Sequence, residues 1–246
     1  MNDQGGCGFS INSDDAANIE ITNFEAHDFN IPLPAALRIG GPFAAEGSTT
    51  VATEDFAGVT ADLDGKVTTT GALTWRAEEG RIDLDGSGSA IWVSGDPIYT
   101  IPWSSPGFAD LQAEITPPGA GYGAGDNCFA GLVCFEDADN WIASRIRVGD
   151  DQVNSSEVEI IYCLAASSSV VSRIAMQTEL AHGDQDTFRI TFNGIDFNAY
   201  VDGEVVAYRS LTDLNPAYTA LTINRVGIYA DSIDNGSLWD NFIAKS

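Results

Sequence analysis

Residues 131–148 read GLVCFEDADNWIASRIRV: two alternating apolar and polar runs joined by Glu136-Asp137-Ala138-Asp139-Asn140. The runs have the length and the aliphatic and aromatic content of strands. The acidic knot between them admits three readings: a catalytic carboxylate set, a calcium loop, or the chemistry of a tight turn. Taken as a four-residue turn over 137–140, it pairs Glu136 with Trp141, Cys134 with Ala143 and Leu132 with Arg145. Phe135, Val133, Ile142, Ile146 and Val148 then share the other face.

The alternation continues beyond GDDQVNSS, residues 149–156. Val158, Ile160, Tyr162 and Leu164 fall on one face, and Glu157, Glu159, Ile161 and Cys163 on the other. After Ala166-Ser167-Ser168, Val170, Ile174 and Met176 extend the apolar face and Arg173 the polar one. Parity therefore gathers Trp141, Arg145, Arg147, Glu157, Glu159 and Arg173 on one side of one sheet. In a chain with only 11 basic residues, three arginines on one face ask for an explanation. A salt-bridge ladder is one, because Arg145 and Arg147 lie across from Glu159 and Glu157 and such pairs contribute roughly 0.2–1 kcal/mol each. A sugar-binding surface is another, since pyranose rings stack on aromatic faces and charged forks take up hydroxyls. A face covered by a neighbouring subunit is the third.

The meander also separates Cys134 and Cys163 by one intervening strand. At about 9.5 Å they are too far apart for a disulfide, so both are expected to be free thiols. The four cysteines lack metal-ligand spacing, which argues against zinc. His27 and His182, the only histidines, have no nucleophile beside them, and no phosphate-binding glycine loop is present.

Outside this region, short runs such as TVATEDF, ALTWRA, GRIDLDG, SAIWVSG, FADLQAEITP, DTFRITF, DFNAYVDG, INRVGIYA and LWDNFIA recur between Gly, Asn, Asp and Ser clusters. They predict an all-β domain of two packed antiparallel sheets over residues 46–246. Residues 1–45 read as an N-terminal arm or accessory element, or as further edge strands of the same sandwich.

Thirty-six acidic residues stand against 11 basic ones, for a formal net charge of -25. Such a surface repels nucleic acid and anionic membranes, and no run approaches membrane-spanning length. It suits a protein that stays hydrated in high salt, or one that attracts divalent cations. The start, MNDQGGCGFS, has neither the basic nor the apolar part of a signal peptide.

Three stretches carry a resemblance: "GLVCFEDADNWIASRIRV", "DTFRITFNGIDFNAYVDGEVVA" and "RVGIYADSIDNGSLWDNFIAKS". Together with the upstream "EDFAGVTADLDG…ALTWRAEEGRIDLDGSG", the chain from about residue 50 resembles the concanavalin A-like lectin/glucanase superfamily. More narrowly it is similar to laminin G-like jelly-roll modules of secreted and phage proteins. The resemblance implies a concanavalin A-like jelly roll, and it assigns Asp137, Asp139 and Asn140 to turn chemistry. Glucanases of the superfamily carry Glu-x-Asp-x-x-Glu on one sheet face. Here "EVEIIY" places Glu157 and Glu159 roughly 6.5–7 Å apart along a strand, within reach of acid/base separations. Tyr162 replaces the third acid, so no hydrolase activity is expected.

Jelly-roll modules of this kind often hold a structural calcium where the first and last strands meet, where Glu54, Asp55 and Asp240 could supply oxygens. Backbone bonding by Asp240 and Asn241 is the simpler alternative. No other cofactor is implied. The resemblance to phage-type modules, the missing catalytic set and the missing export signal point to a virion structural protein. It would decorate a capsid, fibre or tail, with self-association, other virion proteins and a cell-surface glycan as partners. The alternative is a secreted, extracellular carbohydrate-binding module, and behind it a glycosidase.

Overall fold

Alternation of side chains across each strand builds the molecule. In β5 (Ala109–Thr116), Ala109, Leu111, Ala113 and Ile115 are buried while Gln112 and Glu114 are half-buried. In β10 (Asp186–Phe192), Phe188, Ile190 and Phe192 take the inner side. The computed structural model describes residues 46–118, 128–148, 157–165, 167–175, 183–214, 220–232, 234 and 236–246. The arm expected over 1–45, with Cys7 and His27, lies outside the described residues, as does His182. The other strands are β1 (Thr50–Glu54), β2 (Ala61–Asp62), β3 (Arg76–Leu84), β4 (Ala90–Pro102), β6 (Cys128–Asp137) and β7 (Asn140–Val148). They continue with β8 (Glu157–Leu164), β9 (Ser167–Ala175), β11 (Asp196–Val201), β12 (Glu204–Ser210), β13 (Arg225–Ala230) and β14 (Leu238–Lys245).

Hydrogen bonding follows the order β12-β11-β10-β5-β14-β4-β13-β6-β7-β8-β9, with β1 on β14 and β3 on β4. The ladder folds back on itself where Leu238 and Trp239 of β14 meet Ile91 and Ala90 of β4. Two layers result. The first holds β12, β11, β10, β5, β14 and β1; the second holds β2, β3, β4, β13, β6, β7, β8 and β9. Leu111, Phe188, Ile190 and Phe197 from the first layer join Leu132, Ile142, Ile146, Val158, Ile160, Val226 and Ile228 from the second in one buried cluster. Each such side chain contributes about 1.5–3 kcal/mol on leaving water. Trp75 stands edge-on to Phe242 at 5.2 Å, and the Trp239 indole N–H donates to the Gly131 carbonyl at 3.2 Å, closing the core around the junction.

The β6–β7 hairpin departs from expectation by one residue. Asp137 pairs with Asn140, leaving a two-residue connection, and a bulge between Phe135 and Asp137 takes up Glu136. Phe135 therefore stands opposite Trp141, Cys134 opposite Ile142, Val133 opposite Ala143 and Gly131 opposite Arg145. A one-residue slip inverts every side chain of β6. Leu132 and Cys134 enter the core, while Val133 and Phe135 join Trp141 on the outer side. The expected grouping of Phe135 and Val133 with Ile142 is thus corrected. The strands beyond keep their expected register, with Arg145 opposite Glu159, Arg147 opposite Glu157 and Glu159 opposite Arg173. β7 runs between Cys134 and Cys163, and Cys128, Cys134 and Cys163 are buried and joined in no disulfide.

Candidate functional site

The outer face of the second layer carries most of the side chains singled out from the sequence, arranged in transverse rows. The first row runs Ile98, Tyr229, Gly131, Arg145, Glu159 across five strands. A Cβ on Gly131 would lie 1.9 Å from the Ser144 carbonyl oxygen, so only glycine lets β6 and β7 approach this closely. The empty position beside it lets Arg145 reach back to the Tyr229 hydroxyl at 3.4 Å and to the Asp231 carboxylate. Its Nε donates to Glu159 Oε2 at 2.7 Å, and its guanidinium lies 4.8 Å from the Phe129 ring centre. Burial disfavours the charge of Arg145. Tyr229, Asp231 and Glu159 more than offset that, and its pKa stands above the usual arginine value. Burial also raises the Tyr229 hydroxyl well above the ordinary phenol range.

This overturns the expectation of an open polar face. Arg145 and Glu159 are 4% and 0% exposed, so they form an internal ion pair that no ligand reaches in this state. Arg147 and Glu157 make a partly exposed pair at 2.6 Å with the Arg147 guanidinium over Phe129. Arg173 sits opposite Glu159 in the register. The salt-bridge ladder is therefore present, and its centre is dry.

The next row, Thr100, Gly227, Val133, Ala143, Ile161, is small and smooth. Beyond it lies Arg225, Phe135, Trp141, Cys163. Trp141 leans back over this smooth row, its ring 5.6 Å from that of Tyr229 and tilted by 37°. Arg225 is held by Thr100 Oγ1 at 2.6 Å and Glu78 Oε1 at 2.8 Å, and burial lowers its pKa. Trp141 and Arg225 are half-buried, one on each side of the buried Phe135. They stand two strand spacings apart, about 10 Å. Sequence parity found Trp141. It missed Arg225, Tyr229, Asp231 and Glu78, which come from strands whose neighbours no local pattern reveals.

The acidic knot is a turn. Asp137 Oδ1 accepts from the Asp139 backbone N–H and from Asn140 Nδ2, both at 2.9 Å, and Asn140 Oδ1 accepts from the Ala165 backbone N–H at 3.1 Å. The Asp137 and Asn140 side chains are thus occupied in holding the turn and its neighbour.

The corner expected to hold calcium does bring the first and last described strands together, with Glu54 opposite Phe242. Glu54 is buried and already served: Lys66 Nζ donates at 2.7 Å, the Phe56 N–H at 2.8 Å, and the Thr69 hydroxyl and Trp75 indole at 3.2 Å. A lysine supplies the cation here, and the donor set does not fit a calcium ion at Glu54. The Ala57 backbone N–H, and then the Thr69 hydroxyl, lower the Asp55 pKa. Asp240 accepts from the Asn241 N–H at 2.7 Å, and burial raises its pKa. Among the described residues, no group of three His, Cys, Asp or Glu side chains is placed to hold a metal ion.

No protein-family model and no curated protein matches the sequence. Solved structures do match the fold. The carbohydrate-binding module CBM66 from Bacillus subtilis superposes with a TM-score of 0.52 at 16% identity, covering 70% of this chain and 95% of that one. A mutant of the GH43 protein BlXynB from Bacillus licheniformis gives 0.54 at 13% identity, covering 84% of this chain and 41% of that one. A xylan β-1,4-xylosidase from Bacillus halodurans gives 0.53 at 14% identity, over 83% and 40%. The chain spans about two fifths of the length of these last two proteins. At such identities the likeness concerns architecture. The fold is an all-β concanavalin A-like jelly-roll sandwich.

Proposed function

We propose that the chain is a non-catalytic carbohydrate-binding module. The observation that carries this reading is the Arg225–Phe135–Trp141 row: a half-buried indole locked against Tyr229, with a fixed guanidinium about 10 Å away across the sheet. A rigid aromatic platform stacks a sugar ring at little entropic cost, and a forked donor beside it takes up hydroxyls. The near-complete coverage of a solved carbohydrate-binding module supports the same reading. A net charge of -25 disfavours acidic polysaccharides, so the ligand class is a neutral glycan.

The two carboxylates of the glucanase-like motif are engaged with arginines, which supports a non-catalytic reading. Glu159 is buried against Arg145, Glu157 is bound to Arg147, and Tyr162 projects toward the core cluster. General acid/base work needs a carboxylate that exchanges protons beside substrate. A glycan-binding module of this kind serves equally on a virion surface or in a secreted protein. Trp141→Ala should abolish binding on an array of neutral glycans, while circular dichroism shows the fold retained despite some loss of melting temperature from the missing contact with Tyr229. Arg225→Gln should weaken binding. Binding that survives Trp141→Ala removes this face from the function, and turnover of β-glucan, agarose or xylan lost on Glu157→Gln would make the protein an enzyme.

A further inference from the structure

A chain with 36 acidic residues against 11 basic ones has carboxylates to spare for every arginine. Two of its arginines nevertheless share one. Arg225 of β13 meets Glu78 Oε1 at 2.8 Å, and Arg76 of β3 meets Glu78 Oε2 at 3.4 Å. Burial lowers the Arg225 pKa, Glu78 opposes that, and the charge of Arg76 adds to the lowering. Two like charges on a single carboxylate leave one positive charge over. Stability does not call for it, because the Arg76 side chain is 62% exposed and so open a pair contributes little.

The two guanidinium groups are held differently. Arg225 spends Nε on Thr100 Oγ1 at 2.6 Å and Nη2 on the Thr100 carbonyl at 3.1 Å, which leaves Nη1 unspent among the described residues. Arg76 is paired there only with Glu78, through Nη2, and the rest of its fork faces water. In the register Arg76 stands opposite Thr100, and Thr100 opposite Gly227, two residues from Arg225. The order β3-β4-β13-β6-β7 therefore sets Arg76, Arg225 and Trp141 at three stations across one outer face. Two strand spacings separate each station from the next, and β3 to β7 is about 19 Å.

We propose that Arg76 is a further sugar contact, and that this face takes an extended stretch of neutral glycan, at least three sugar units long, lying across the strands. The inference rests on the glycan-binding reading of the Trp141 row. A pyranose ring advances a chain by roughly one strand spacing, 4.8 Å. Side chains shorten the span that the ligand must cover, since Trp141 leans towards Tyr229 and Arg76 towards Glu78. A disaccharide stacked on the indole stops short of Arg76. A chain of three or four units carries its hydroxyls past Arg225 Nη1 and on to the Arg76 fork, where charged N–H groups donate to them.

Calorimetric titration of the full chain with cello-, xylo-, manno- and laminari-oligosaccharides, from one unit to six, tests this. In the ladder that binds, affinity should climb up to three or four units and then level off. Arg76→Ala should lower tetrasaccharide affinity roughly tenfold, to near that of the disaccharide. The disaccharide itself should bind as before, because Arg225 stays on Glu78 and Thr100. A disaccharide that binds wild type as tightly as the tetrasaccharide overturns the inference and leaves Trp141 its sugar. So does an Arg76→Ala variant that binds every length as before, which is what a plain surface ion pair would give, or one that is weakened equally at all lengths. Absence of binding in every ladder removes the glycan reading of the face, and this inference with it.

Discussion

The two outer faces of the sandwich each bury an arginine, and they do so to different depths. On the second layer, the Arg145 side chain is 5% exposed, two carboxylates neutralise it, and the Phe129 ring lies beneath it at 4.8 Å with Tyr229 at 6.0 Å. On the first layer, the Arg189 side chain is 15% exposed, clasps Asp110 bidentately at 2.7 and 2.9 Å, and stacks on Tyr200 at 4.8 Å. The deeper site needs the second carboxylate because less water remains to share the charge. The shallower one keeps Glu46 as an exposed, long-range companion at 3.5 Å. Both show how so acidic a chain uses its few cations: they neutralise carboxylates that β-sheet packing has taken out of water.

Breaking these pairs should rank them. Arg145→Met removes the buried guanidinium that joins Glu159 to Asp231 and should cost about 3–5 kcal/mol in urea unfolding. Arg189→Met should cost less, roughly 1–3 kcal/mol, because Asp110 keeps the Gly47 N–H and the Arg189 side chain is already 15% exposed. Equal losses for the two variants would dissolve the distinction between the faces.

A half-buried carboxylate with no cation paired to it among the described residues sharpens the contrast. Asp186 shares the inward side of β10 with Phe188 and Ile190, and its Oδ2 has no partner among the described residues. Burial, with Asp202 and Asp184 nearby, pushes its pKa from 3.8 up to about 6. The folded state holds this proton more tightly than the unfolded chain does. Its contribution to stability is therefore complete below 3.8 and is lost as pH rises through about 6. Asp186→Asn should stabilise the protein at about pH 8 by on the order of 1 kcal/mol, a rise in melting temperature of roughly 2–4 °C, and should do nothing at about pH 3.5. An equal gain at both pH values would point to packing instead of charge.

Salt acts on the surface charge that these pairs leave over. With a net charge of -25, the melting temperature should climb between low salt and about 1 M as repulsion is screened. A flat or falling curve would remove the high-salt reading of the composition. The smallest effect belongs to the rim of the second layer. Arg147→Ala should cost no more than about 1 kcal/mol, because its pair with Glu157 is already wet. A loss there comparable to that of Arg145→Met would mean that the rim is as dry as the centre.

Legibility followed distance along the chain. Arg145–Glu159 and Arg147–Glu157 were readable because β7 and β8 are consecutive and alternate strictly. Arg189–Asp110, 79 residues apart, was not, since nothing local announces that β10 lies beside β5. The β6 register was lost to Glu136: a bulge is invisible to a count of two, and one residue inverts a whole strand. EVVAYRS was not read as a strand of its own, although Asp202 and Gly203, both at positive φ, make the two-residue turn that leads into it. Trp141 came out of parity, but its partner Tyr229 arrives from β13, 88 residues later.

Strand β4 has a consequence of another kind. Its first residues pair with β14 and its last five with β13, so a single stretch of peptide belongs to both layers, with β3 along its free edge. Neither layer can peel away while the other stays zipped, because opening either one tears the same thirteen-residue strand. The module is therefore built to resist stepwise fraying under tension or protease attack. The amides of Ile98–Ile101 should exchange with solvent only when the whole domain comes apart.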